Sequence, residues 1–199
     1  MKKYYIASAW LVLLSAVVFA LFWYNELVYT LPTPVPATYK TVPNGKIIPV
    51  NNALHFTNEK PVFLHFFNPD CPCSRFNIDH FKSLVKAYHN DVDFAIVLMA
   101  SKPYTEKEIQ DRFKVSVPVI ADSTLAAATG VYSTPQAVIL KTDHRLFYRG
   151  NYNKTRYCTD EKTSYAKLAI ESLIKKTSLL QFDRAALTAY GCTLPNCKK

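Results

Sequence analysis

The plainest chemistry in this chain belongs to its five cysteines, Cys71, Cys73, Cys158, Cys192 and Cys197. An odd number leaves at least one sulfur outside any set of internal disulfides. Two of them fall in Cys71-Pro72-Cys73. Proline is favoured as the first residue of a helix because it has no N–H to leave unpaired. Pro72 therefore predicts a helix start and places Cys71 at the N-cap. Unpaired amides and the helix dipole favour an anion there, so a thiol's pKa falls below its free value of about 8.5. Arg75, one turn on, acts in the same direction, and Asp70 opposes it. Cys71 is the expected nucleophile, ionised and reachable by another protein.

The other sulfurs leave alternatives. Residues two apart on a helix point to nearly opposite faces, whereas a disulfide needs Cβ atoms about 3.5–4.5 Å apart. Either Cys71 and Cys73 form a strained, oxidising pair, or Cys71 is resolved by a distant thiol such as Cys158. Cys192 and Cys197, in Gly191-Cys192-Thr193-Leu194-Pro195-Asn196-Cys197, read as a local disulfide pinning the tail in an oxidising compartment. A resolving or metal-binding role is the alternative for them. Cys158 is then either the unpaired fifth thiol or a partner of the active site. His80 falls on the same helical face as Cys73, two turns along. Cys71, Cys73 and His80 would make a soft-metal site for Cu(I) or zinc, the rival to redox chemistry. His65, inside a hydrophobic run, reads as a packing residue. No Gly-x-Ser-x-Gly elbow, Walker loop or dinucleotide fingerprint occurs, and no cofactor is implied.

These side chains need a frame. Val62–Phe67 reads as a buried strand running into the turn before Cys71. In the helix opened by Pro72, the apolar residues Phe81, Leu84, Val85 and Tyr88 fall at helical spacing. Phe94–Met99 is a second strand. Thr105 with Glu108 forms a capping-box signature for a short helix. Val117–Ile120 is a short strand, and the helical turn Leu125–Ala128 is stopped by Gly130. Ala137–Leu140 and Arg145–Tyr148 flank a hairpin turn, and a last helix runs from about Glu161 to Lys175. The alternation predicts an α/β sandwich, a mixed central sheet flanked by helices.

The chain's start has a different composition. No charge occurs from Tyr4 through Tyr24, and about 20 apolar residues span a bilayer as a helix. Lys2 and Lys3 predict that the N-terminal end stays cytoplasmic, with Trp23, Tyr24 and Tyr29 at the far interface. The run is longer than a signal-peptide core and no small-residue cleavage site follows, so it reads as an uncleaved anchor over residues 1–30. Residues 31–44 carry Pro32, Pro34, Pro36 and Pro43 and read as a semi-rigid spacer. The folded domain is expected over 45–178 and a Cys-containing tail over 179–199. The net charge of +9 is scattered over the sequence in isolated residues and pairs, without the clustered stripe that a nucleic-acid groove needs.

The segment Phe66-Phe67-Asn68-Pro69-Asp70-Cys71-Pro72-Cys73-Ser74-Arg75 resembles the active-site turn of thioredoxin-like redoxins, a superfamily that includes membrane-anchored TlpA/ResA-like thiol–disulfide proteins and peroxiredoxin-related redoxins. Pro118–Asp122 with Gly130–Leu140 resembles their stretch leading into the cis-proline loop. Phe147-Tyr148-Arg149-Gly150 resembles the strand after it. The resemblance implies that Pro135 is a cis-proline opposite the cysteines, with Thr134 and Pro135 aligning the substrate chain. It implies thiol–disulfide exchange on protein thiols and disulfides, in the periplasm of a Gram-negative bacterium, from a single-pass inner-membrane anchor. The sequence departs from the usual Cys-x-x-Cys pattern: Asp70 precedes the first cysteine, Ser74 holds the usual second-cysteine position, and Cys73 comes one residue early.

Overall fold

The computed structural model describes residues 2–50, 56, 59–155, 157–177 and 182–194. The chain divides into two compact units, Met1–Pro32 and Thr33–Lys199. The first is one apolar helix from Lys2 to Thr30. It comprises α1 (Lys2–Phe22), a π-helical turn over Trp23–Leu27, and α2 (Val28–Thr30). At 1.5 Å per residue it is about 44 Å long, enough to cross a hydrocarbon core of about 30 Å.

The second unit is built on a five-stranded sheet in the order β3-β2-β1-β5-β6. Its strands are β1 (Val62–Phe67), β2 (Asp93–Leu98), β3 (Val119–Ile120), β5 (Gln136–Leu140) and β6 (Leu146–Gly150). β1 runs parallel to β2 and antiparallel to β5, β2 is parallel to β3, and β5 and β6 form the antiparallel hairpin. Two residues of β4 (Ser133–Thr134) stand outside this sheet and pair with β7 (Cys192–Thr193).

β1 shows no polar alternation because it is buried on both faces, as expected for a strand covered on each side. Phe63 and Phe67 pack with Ile78, Phe81 and Leu84 of α3 (Pro72–Tyr88) and with Ala166, Ala169 and Ile170 of α6 (Tyr165–Ile174). Val62, Leu64 and Phe66 face Leu125 and Ala126 of α5 (Ser123–Thr129) on the other side. The capping box is formed: the Thr105 hydroxyl accepts from the Glu108 amide at the start of α4 (Glu106–Phe113), and Glu108 Oε2 accepts from the Thr105 amide at 2.7 Å. Gly130 ends α5 in the left-handed region at φ 73°. This is the mixed, helix-flanked sheet expected from the sequence.

The stem differs from the expected spacer. The compact unit begins at Thr33, not Gly45. Thr33 and Val42 are buried, and Tyr39 lies edge-on to Tyr132 at 4.9 Å. Val42 supplies an apolar anchor to the α5-side core and Thr33 a hydrogen-bonding one, so the intervening prolines run along the domain. The C-terminal segment is likewise part of the body. α7 (Arg184–Leu187) is tied to β6, with Asn151 Nδ2 donating to the carbonyls of Ala185 at 2.6 Å and Thr188 at 2.5 Å.

Candidate functional site

The site forms at the carboxyl end of β1, where open α/β sheets gather their reactive groups. A tight turn carries the chain from Phe67 to the start of α3. Asn68 organises it: its Oδ1 accepts from the Asp70 amide at 3.0 Å, its carbonyl accepts from the Cys71 amide at 3.1 Å, and its own amide donates to Ser74 Oγ at 3.2 Å. Pro72 is the first helical residue and Cys71 the N-cap, in extended conformation, as its sequence position predicts. Asp70 Oδ1 accepts a hydrogen bond from the Tyr104 hydroxyl at 2.7 Å.

Two expectations at Cys71 are corrected. Its relative exposure is 0%, so the sulfur is not open to a partner protein in this state. It is also disulfide-bonded, and to none of Cys73, Cys158 and Cys192. A Cys71–Cys73 bond is therefore not formed. Cys73 lies inside the first turn of α3, where its side chain diverges from that of the N-cap.

Cys73 meets a different partner. Its Sγ lies 2.9 Å from Cys192 Sγ, and both residues are buried. The contact spans 119 positions of sequence, and β7 creates it by pairing Cys192 with Thr134 and Thr193 with Ser133. The Cys192 thiol thus turns toward α3 and does not form the expected local staple in the tail. Cys197 lies outside the described residues. Gly191 permits the approach, because a Cβ there would collide with the Thr134 carbonyl and Ser133 Oγ. The stem reinforces it: Thr33 Oγ1 donates to the Gly191 carbonyl at 2.6 Å and lies 3.1 Å from Ser133 Oγ, and the Thr33 amide donates to the Ala189 carbonyl at 2.7 Å.

The Thr134–Pro135 bond is cis, as the resemblance implied. Thr134 is fully buried, and its Oγ1 has no hydrogen-bond partner among the described residues. Its strand edge, which the resemblance assigns to a substrate chain, is taken by β7.

Cys158 adopts a left-handed backbone at φ 54° and accepts a hydrogen bond from Asn77 Nδ2 at 3.3 Å. Burial pushes its thiol up to about 11, against a smaller downward pull from Asn77. It is a free cysteine held protonated at neutral pH, a poor resolving nucleophile. His80 does not join Cys71 and Cys73. Its Nε2 sits 3.3 Å from Ser164 Oγ and its ring stands edge-on to Tyr152 at 5.8 Å. Burial lowers its pKa, with Glu161 raising and Lys167 lowering it to smaller extents. Among the described residues no group of three His, Cys, Asp or Glu is arranged to hold a metal ion. His65 is a packing residue: its ring stacks on Phe81 at 4.4 Å, its Nδ1 lies 2.7 Å from the Tyr152 hydroxyl, and burial lowers its pKa to about 3.

A helix N-cap cysteine in a disulfide after the first strand of a mixed, helix-flanked sheet, together with a cis Thr134–Pro135 bond, agrees with the thioredoxin-like fold expected from the sequence. The family model described as a domain of unknown function (DUF6436) matches residues 45–194, and the chain belongs to that family. No curated protein matches the sequence. Among solved structures, a hypothetical protein from Sinorhizobium meliloti superposes with a TM-score of 0.64 at 13% identity, covering 79% of this chain and 96% of that one. An uncharacterized conserved protein from Geobacillus kaustophilus gives 0.61 at 18% identity, with 76% and 93% covered. The thioredoxin domain of a thiol-disulfide oxidoreductase from Bacteroides vulgatus gives 0.47 at 13% identity, over 61% and 98% of the two chains. At these identities the first two speak to the fold alone.

The sequence singles out Cys71, Cys73, Thr134 and Pro135 as candidates, but not that Gly191 and Thr33 would bring Cys192 to Cys73. The one available signal was a glycine beside Cys192 in a chain with only four glycines.

Proposed function

We propose that the chain is a membrane-anchored thiol–disulfide oxidoreductase acting on protein thiols and disulfides through Cys71 and Cys73, with its folded unit in the periplasm. The observation that carries this reading is the disulfide at Cys71, on the N-cap of α3. In exchange, a client thiolate attacks a sulfur of that disulfide and the other sulfur leaves as a thiolate. The client's second thiol then displaces the protein, so the client gains a disulfide and the protein gains two thiols. In the reverse direction the Cys71 thiolate attacks a client disulfide. The positive end of the α3 dipole stabilises Cys71 as leaving group or nucleophile.

Burial of Cys71 adds a condition: the site must open before a client reaches the Cys71 sulfur itself. Thr134 and Pro135 would align the client chain by strand addition, in competition with β7. The test uses the full chain in detergent, with a disulfide-containing peptide as client and a thiol-specific readout. Cys71→Ser is expected to lower the rate of exchange well below that of the wild type while the thermal melt still shows a folded domain. Exchange at the wild-type rate in that variant overturns the reading.

A further inference from the structure

We infer that Cys73 and Cys192 are a second redox pair, through which the C-terminal strand is joined to the active-site helix by a reversible disulfide. The inference rests on the thiol–disulfide reading of the same site and extends it from Cys71 and Cys73 to Cys192, to which that reading gives no part.

Four observations converge on the pair. The two sulfurs lie 2.9 Å apart, outside the S–S bond length of about 2.05 Å but close enough for a small adjustment to form the bond. Both are buried, at 9% and 1% exposure, so the contact belongs to the interior. The approach is built by three separate elements: the β4–β7 register, the bare Cα of Gly191 against Thr134, and the Thr33 hydroxyl on the Gly191 carbonyl. Finally, β7 is only two residues long, so its ladder is short and local opening is inexpensive. A chance pair of core cysteines would need none of this machinery at the edge beside the cis-proline.

The chemistry balances with a protein disulfide as oxidant. When β7 lifts, the Cys192 thiolate attacks one sulfur of a client disulfide; a mixed disulfide forms and one client thiolate leaves. On re-docking, the Cys73 thiolate attacks Cys192 Sγ and the second client thiolate leaves. Two electrons pass to the client, whose thiolates take up the two protons, and the protein keeps a Cys73–Cys192 bond. Reduction by a protein dithiol runs the same steps backwards.

The experiment equilibrates the full chain in detergent with reduced and oxidised dithiothreitol over a range of ratios, quenches with an alkylating reagent under denaturing conditions, and reads the mass of the whole protein. Between the reducing and the oxidising end, Cys73 and Cys192 are expected to cease taking up reagent while Cys158 continues to do so. In the Cys71→Ala/Cys197→Ala double variant the remaining cysteines fall on separate tryptic peptides, and the peptides bearing Cys73 and Cys192 are expected to be cross-linked. Gly191→Ala removes no sulfur but displaces β7. It should raise the native-state alkylation rate of Cys73 by about tenfold or more, because modification follows the population of the opened form. Continued alkylation of Cys73 and Cys192 at every ratio, or linkage of Cys192 to Cys158, overturns the inference. The two readings fail separately: loss of exchange in Cys71→Ser without a Cys73–Cys192 bond removes only this inference. Wild-type exchange in that variant with the bond present removes only the Cys71 reading.

Discussion

His65 illustrates what burial does to a single titratable group. Its ring is enclosed by Phe67, Phe81 and Tyr152, and its pKa falls to about 3. A base with a depressed folded pKa must stay neutral in the native state. Between the unfolded value of about 6.5 and the folded value, the unfolded chain binds one more proton, so stability falls as pH falls through that window by up to ~1.4 kcal/mol per unit. Above pH 6.5 the effect is absent. Urea midpoints measured from pH 7 to pH 4 should show this acid loss in the wild type, and His65→Gln should flatten it. Equal slopes in the two proteins would assign the acid limb to other groups. At the same scale, the Cys71 N-cap was readable from Pro72 alone, whereas the Cys71 disulfide was not. Which sulfurs meet depends on chain packing that no local pattern encodes.

Elements differ in how much of their cause is local. The capping box lies within four consecutive positions, Thr105 to Glu108, and forms as read. Thr105→Ala should lower stability by about 1 kcal/mol, the usual worth of a side-chain cap, measurable as a reduced urea midpoint at unchanged m-value; an unchanged midpoint would mean the frayed turn costs nothing here. The β1 strand, α3 and the β5–β6 hairpin were legible for the same reason, since hydrophobic spacing and turn residues act within one element. β4 and β7 were not legible. Two residues carry no periodicity, and their pairing depends on Gly191 fitting under the Thr134 carbonyl. The stem misread has a related cause: the spacing of Pro32, Pro34, Pro36 and Pro43 signals an extended chain but not what that chain lies against, and Thr33 and Val42 settle it by being buried.

For the whole molecule, the first-unit helix and the formal charge of +9 suit a protein held at an anionic bilayer. The proposed orientation predicts that protease added to spheroplasts degrades the residues beyond α2, whereas in inverted vesicles they survive. The opposite pattern would place the folded unit in the cytoplasm. The enclosure of Cys71 has a kinetic consequence for either orientation. A sulfur with no solvent-facing surface is attacked directly only during excursions in which its cover parts, so small reductants aimed at the Cys71 sulfur meet a ceiling. Raising their concentration accelerates the reaction until capture outpaces reclosing, after which the rate equals that of the excursion itself. A protein partner able to hold the cover aside escapes this ceiling, and selectivity between clients and the background thiol pool then arises from access and not from potential.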